Sequence, residues 1–416
     1  MKHTPMMKAL LAAGFLSTLG ATASAAELDD VKAQMGKLQA RIDQLEAGQK
    51  GGTSGTTAGG TTFSVGGYVQ LDMYNDLKAD QGSNFAEGRA IDMTDLPLRG
   101  TTNTKRTNAT GFSAATSRLN FKTSTPADGA TVKTRIEFDF FTTDGSETFT
   151  NSLHPRLRHA YGQVGNWLAG QTWSTFMDVD SLPETLEFTG PSGQVFIRQP
   201  MVRYTLPTGD KSGLALAVEN PQADTRGGAS ALDRGPDFAA NWTKEGDWGH
   251  LSLRGLVRPL RVADANGENQ ASKLGFGAGV SGIFKLGAAD AILYQVNFGK
   301  GAGRYIQDTN PAAAYSATPT QLATHKAVGG FIGLQHGWGG SARSTFVVSA
   351  TQNDNDPNFG AIDSLNERTR EAHANFIYSP YKSVDVGIEY IWGQREQEDG
   401  QKGDLSRLMA SAKFSF

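Results

Sequence analysis

From residue 63 onward, apolar and polar side chains alternate with a period of two. Phe63, Val65, Gly67, Val69, Leu71 and Met73 interleave with Ser64, Gly66, Tyr68, Gln70 and Asp72. Val132, Thr134, Ile136, Phe138 and Phe140 interleave with Lys133, Arg135, Glu137 and Asp139, and Val384, Val386, Ile388, Tyr390 and Trp392 with Asp385, Gly387, Glu389 and Ile391. A period of two places successive side chains on opposite faces of a strand. Sixteen strands are readable, at about 63–74, 112–123, 130–141, 156–164, 166–174, 195–206, 214–219, 236–243, 248–258, 273–285, 289–299, 326–336, 341–351, 368–378, 383–393 and 405–416. Shifted boundaries would accommodate fourteen or eighteen.

A soluble sandwich also alternates, so the connections carry more weight. Long ones, about 75–111, 142–155, 175–194, 220–235, 259–272, 300–325, 352–367 and 394–404, alternate strictly with tight turns. Among the turns are Thr125-Pro126-Ala127-Asp128-Gly129, Pro207-Thr208-Gly209-Asp210, Gly337-Trp338-Gly339-Gly340 and Pro380-Tyr381-Lys382. Long loops on one side, tight turns on the other and strands of roughly 9–12 residues are what a tilted transmembrane β-barrel requires. Only a closed barrel leaves no unpaired strand edge in hydrocarbon, which favours an even strand number. The last strand carries Leu408, Ala410, Ala412, Phe414 and Phe416 on one face, and its terminal aromatic resembles the signal by which outer-membrane barrels are recognised for insertion. The expected fold is an all-β, sixteen-stranded antiparallel transmembrane barrel over 63–416.

Ahead of the barrel the period lengthens. Leu28, Val31, Met35, Leu38, Ile42 and Leu45 form an a/d seam over 27–47, predicting a short coiled-coil oligomerisation helix; an amphipathic helix lying on its own domain is the alternative. The Gly/Thr/Ser-rich stretch 48–62 reads as a flexible linker. Residues 1–26 have the form of a cleaved signal peptide, with Lys2 and Lys8, an apolar run Ala9 to Leu19 and a small-x-small site at Ala23-Ser24-Ala25. The chain is therefore expected to be exported, to the outer membrane of a Gram-negative bacterium.

Composition narrows the chemistry. The 416 residues include 50 glycines and no cysteine, which removes disulfides, thiol nucleophiles and cysteine-ligated metals together. Without the two signal lysines, 37 basic residues face 42 acidic ones, no balance for a nucleic-acid binder. Nucleophile elbows, His-Glu-x-x-His and Walker loops are absent, and Gly277-Ala278-Gly279-Val280-Ser281-Gly282 lies in a strand with no helix after it, so it reads as close strand packing. The seven histidines share no metal-ligand spacing. No enzyme activity, cofactor or metal site is expected.

The informative constellation is basic residues on the polar face of membrane-depth strands. Arg118 and Lys122 share one such face, as do Lys133 and Arg135, Arg156 and Arg158, and Arg254 and Arg258, while Arg198 and Arg203 flank a proline break. A charge facing lipid there costs about 2–4 kcal/mol, so these side chains are expected to line the lumen. Rings of Arg and Lys are the pattern of anion pores. Pairing with Glu137, Asp139, Glu219 or loop acids, merely to stiffen the wall, is the structural alternative. Asp178, Asp180, Glu184 and Glu187 lie in the third long loop. Folded inward, that loop would set four acids across from the arginine strands and produce a transverse field.

Arg156-Leu157-Arg158-His159-Ala160-Tyr161-Gly162, the run 170–178 (GQTWSTFMD), Pro183-Glu184, the run 188–193 (FTGPSG) and Arg198-Gln199-Pro200 resemble the DcaP-like porins, most densely over 112–206. The resemblance implies a homotrimer in outer-membrane lipid, a sixteen-stranded barrel behind an N-terminal coiled coil, and uptake of dicarboxylic acids and other small anionic solutes. The first long loop carries Lys78, Arg89, Arg99, Lys105 and Arg106 in its own arrangement, which leaves the solute open. A plugged barrel of structural or adhesive role, and an outer-membrane hydrolase, stand as alternatives.

Overall fold

The computed structural model describes residues 56–58, 60–78, 90–105, 107–142, 145–148, 150–359 and 361–416. The expected signal peptide and coiled coil lie outside these residues, as does most of the linker. Within it, Thr56–Ala58 pairs as a short strand with Thr61 to Phe63, and the first wall strand begins at Thr61, two residues before the expected start of the barrel.

Sixteen strands form the wall: β1 (Thr61–Lys78), β2 in two segments (Ala109–Ser113 and Arg118–Ala127), β3 (Ala130–Asp139), β4 (Arg156–Val164), β5 (Trp167–Trp173), β6 (Arg198–Gly209), β7 (Ser212–Glu219), β8 (Asp237–Gly246), β9 (Gly249–Ala263), β10 (Gln270–Leu286), β11 (Asp290–Lys300), β12 (Lys326–Gly339), β13 (Ala342–Asp354), β14 (Asn366–Tyr381), β15 (Val384–Gln397) and β16 (Lys402–Ser415). Each pairs antiparallel with its neighbours, and β1 closes on β16 from Tyr68↔Ser415 to Lys78↔Ser406. No edge is left open, as a lipid-facing sheet demands. No described helix is long and apolar enough to cross a membrane; strands do the crossing.

The apolar side of each alternation faces outward. Val69, Leu274, Ile332 and Val348 are among the many large hydrophobic residues more than half exposed on the outer wall. In water such a surface would drive aggregation; in a bilayer it is the solvated face. Trp167, Trp248, Trp338, Tyr381 and Phe416 are exposed at the short-turn end, forming one aromatic girdle and marking the periplasmic boundary.

Several strands outrun the expected spans at the long-loop end. β9 continues to Ala263 and β15 to Gln397, and β16 already begins at Lys402. Apolar alternation marks only the membrane-embedded part of a strand, whereas backbone pairing continues beyond it. β6 starts at Arg198 rather than 195 and passes through Pro200, which stays in register with Gln171. The expected proline break is therefore no break: Pro200 lies in the ladder, and its carbonyl accepts from Asn220 N at 2.9 Å.

Three long segments turn back into the barrel. Residues 174–197, between β5 and β6, pack Phe176, Met177 and Val195 against Leu256, Tyr305 and Ile306. Ile91, Met93 and Leu96, from the loop after β1, pack on Tyr74, Ile391, Leu405 and Met409. Residues 301–325 cover the long-loop mouth, with Ala313–Ala317 and Thr320–Thr324 forming a small sheet with Thr225–Arg226.

Candidate functional site

Strand register turns the inner face of β1–β4 into a grid. Crossing from β1 to β4, one row reads Tyr68, Arg118, Asp139, Arg156; the next toward the short turns reads Gly66, Asn120, Glu137, His159. Arg156 and Arg158 face inward by plain alternation, with Leu157 toward lipid; the register shift between Glu137 and Phe138 makes Arg158 the extra residue and turns His159 inward as well. Arg156 grips Asp139 with Nε and Nη2 at 2.9 and 2.7 Å. Arg158 donates to Glu137 at 2.7 Å and to Asp139 at 2.9 Å, and Arg135 to Glu137 at 2.7 Å. Arg118 lies 3.5 Å from Glu137. Arg198 stacks on Trp173 at 4.4 Å from the ring centroid, and Arg156 and Arg158 lie 5.5 and 5.8 Å from that of Phe188. Five guanidinium groups thus surround two carboxylates, and planar cations are held by ring faces as well as by acids.

The loop 174–197 forms the opposite boundary. Its turn at Gly190 to Gly193 seats on β12, where a Cβ at Gly193 (φ +77°) would overlap Gly330 N and the Gly329 carbonyl carbon. Backbone groups of the loop are then claimed by wall residues. Glu389 accepts from Leu186 N at 2.8 Å and Glu187 N at 3.2 Å, Glu371 from Ser192 N at 2.9 Å, and Gln295 from Val195 N at 2.7 Å. Each of these partners lies more than 90 positions away in the chain.

The loop acids do not face the arginine strands, which corrects the expected four-acid field. Asp178 is buried at β9 and β10, 3.0 Å from His250 Nε2 and 2.5 Å from Ser281 Oγ. Asp180 lies beside it; Asp178, Asp180 and His250 bring three possible ligand atoms within 4.8 Å of one another, a grouping that sequence spacing did not reveal. Glu187 is buried and accepts from Thr189 N and Gly190 N of its own loop and from Ile91 N of the segment after β1. Glu184 also borders the opening, as Glu187 does, and Arg343 of β13 grips Glu184 with two bonds of 2.6 Å. Asp178 and Glu184 thus tie the loop to β9, β10 and β13, away from the arginine cluster of β1–β4.

Between them lies a cavity of about 270 Å³, bordered by Arg118, Arg158 and Lys413 on the wall and by Glu184, Phe188 and Gln194 on the loop. Lys413, on β16, and Arg343 were not singled out in the sequence, although Lys413 sits on the polar face of a readable strand. Lys122, Lys133 and Arg135 come together nearer the short turns. Arg203 borders a separate cavity of about 160 Å³ beneath the loop, with Asp180 and His250. Arg254 and Arg258 lie away from the opening. Arg254 donates to Phe176 O at 2.9 Å, holding the loop. Arg258 is fully buried and donates to Asp224, Gln222 O, Gly301 O and Ala302 O at 2.6–3.1 Å. Inward-folded segments cover this part of the wall, which alternation alone could not foretell.

Asp308, in the segment 301–325, is pressed against the same loop. Burial and the nearby Glu371 carboxylate push its pKa up to about 8, against a hydrogen bond from Ser192 that opposes the rise. An acid with a raised pKa weakens the folded packing as pH climbs from its ordinary value of 3.8 toward 8. Between pH 7 and 9 the channel current is expected to become noisier as Asp308 ionises beside Glu371. Asp308→Asn should give a trace flat with pH; a wild-type trace equally quiet at both ends would show that this carboxyl does not titrate there.

A closed sixteen-stranded barrel, apolar outside, polar within and narrowed by an inward loop, defines an outer-membrane channel protein of a Gram-negative bacterium. Residues 52–416 match the model of the DcaP outer membrane protein family, and the chain belongs to that family. It is similar to the outer membrane channel DcaP of Acinetobacter baumannii at 26% identity and TM-score 0.75, covering 87% of this chain and all of that one. OmpT of Vibrio cholerae (10% identity, TM-score 0.57, 87% of this chain and all of that one) and an anion-selective porin from Comamonas acidovorans (10%, 0.53, 86% and all) share the fold. A comparison with curated protein sequences finds no match.

Proposed function

We propose that this channel passes small anionic, dicarboxylate-like solutes by passive diffusion, and that it works as a homotrimer. The observation that carries the reading is the lateral separation of charge at the opening. Arg118 and Arg158 border it from a cluster of five guanidinium groups and two carboxylates, with Lys413 beside them; of the four loop acids, Asp178 and Asp180 lie at a separate cavity, Glu184 is paired with Arg343 and Glu187 is taken up by loop N–H groups. Guanidinium groups offer a carboxylate two parallel donors. Because Glu137 and Asp139 already occupy part of that capacity, attraction stays weak enough for release, as conduction requires. The trimer rests on the family resemblance and on the a/d seam of 27–47.

Reconstitution in a planar bilayer tests both parts. In a potassium chloride gradient the reversal potential should favour chloride, succinate should reduce the current, and high voltage should close each inserted unit in three equal steps. A potential favouring potassium would overturn the anion reading, and single-step closure the trimer. Absence of conductance would indicate a plugged barrel.

A further inference from the structure

Nearer the short turns, the β1–β4 wall carries cations of a different character. The next two rows of the grid read Ser64, Lys122, Arg135, Tyr161 and Thr62, Ser124, Lys133, Gln163. They enclose a cavity of about 190 Å³. In the rows above, every arginine has a carboxylate within reach; among the residues lining this cavity there is no acid. Lys122 stands directly opposite Arg135, and Lys133 lies one row further on. Like charges directly opposed across a sheet destabilise it. Arg135 directs one nitrogen away to Glu137, but Lys122 and Lys133 form no ion pair with any described residue. Serine, threonine and tyrosine hydroxyls and the Gln163 amide supply further donors around them.

We propose that this cavity is a second anion station, on the periplasmic side of the constriction, which takes a small dianionic oxyanion. The proposal rests on the anion-channel reading of the opening and adds a place where the solute pauses after passing it. Lys122 follows Arg118 by four residues on β2, about 13 Å of strand at the usual rise. That exceeds the reach of a four-carbon dicarboxylate, so the stations hold separate ions rather than the two ends of one. Two occupied sites in line let an entering anion push the one ahead of it out, which reconciles attraction with throughput.

The cysteine-free chain makes the station directly testable. Ser64→Cys places one thiol beside Lys122, to be modified in the full-length reconstituted protein by methanethiosulfonate reagents bearing either a sulfonate or a trimethylammonium group. The sulfonate reagent should react at least tenfold faster, and succinate or phosphate should slow it. Lys122→Gln together with Lys133→Gln should bring the two rates together. Equal rates, or no protection by either dianion in the Ser64→Cys protein with both lysines present, would overturn the station. The second readout needs no lysine variant and so does not depend on how well one folds. Reversal potentials measured on the same preparation separate the two ideas: chloride preference with equal reagent rates sinks the station alone, whereas potassium preference sinks the reading beneath it.

Discussion

Replacing Arg118 and Arg158 together with alanine lowers the chloride-to-potassium permeability ratio about tenfold. The cluster on β1–β4 and β6 holds Arg118, Arg135, Arg156, Arg158 and Arg198 against Glu137 and Asp139, and the double change leaves three guanidinium groups against two carboxylates. Each removed charge borders the opening. At about 7 Å from an ion in a water-like medium one charge is worth roughly 0.6 kcal/mol, and more where the lumen is narrow. Two together approach the ~1.4 kcal/mol that corresponds to a factor of ten. Reversal potentials in a salt gradient measure the effect, and an unchanged ratio would place both side chains off the ion path. Arg118→Lys with Arg158→Lys is the informative companion. It keeps the charge but loses the fork geometry, so chloride preference should stay within about twofold while block by succinate weakens. Glu137 keeps Arg135 and Asp139 keeps Arg156 in either variant, so neither acid is left as an unpartnered buried charge.

The wall was legible in the sequence because alternation reports which face a side chain takes, and register follows from the tight turns. All sixteen expected strands are present, with ends shifted and the second one split in two, and Arg118, Lys122, Lys133, Arg135, Arg156 and Arg158 lie together on one inner wall. Height and crossing partners are a different matter. Arg258 has the same alternation as Arg135, yet Arg135 borders a cavity whereas Arg258 is sealed under the segment 301–325. The loop acids were read from charge alone, and charge does not say which wall a loop leans on. That choice is made by Glu389 accepting from Leu186 N, by Arg343 gripping Glu184 and by Gly193 meeting Gly329, contacts that no local spacing encodes. The structural reading of the arginines leaves room for the functional one: they pair with Glu137 and Asp139 and still outnumber them.

Replacing Glu389 and Glu371 together with alanine raises single-channel conductance and makes it flicker. Glu389 accepts from Leu186 N and Glu187 N and from the amide of Asn375 at 3.0 Å, and it lies 3.1 Å from His373 Nδ1; Glu371 holds Ser192 through its N at 2.9 Å and its hydroxyl at 3.1 Å. Truncation leaves three loop N–H groups without their acceptors, at about 1–3 kcal/mol each where water cannot replace them. The loop is still moored at its ends by Asp178 on Ser281 and by Val195 on Gln295, so its middle, from Pro183 to Ser192, should swing rather than unfold. Conductance at fixed salt and its open-state noise measure this, and a quiet current of unchanged size would mean that the remaining bonds, Arg343 and Asn375 on Glu184 and Ile91 on Glu187, suffice to hold the loop. Glu389→Gln with Glu371→Gln keeps an acceptor oxygen at each site and should fall between wild type and the alanine pair. The two perturbations of the opening then have different signatures. Removing Arg118 and Arg158 takes charge from one border and lowers selectivity with little change in size. Releasing the loop moves the other border away, so conductance rises as selectivity falls, because an ion farther from the arginines feels them less.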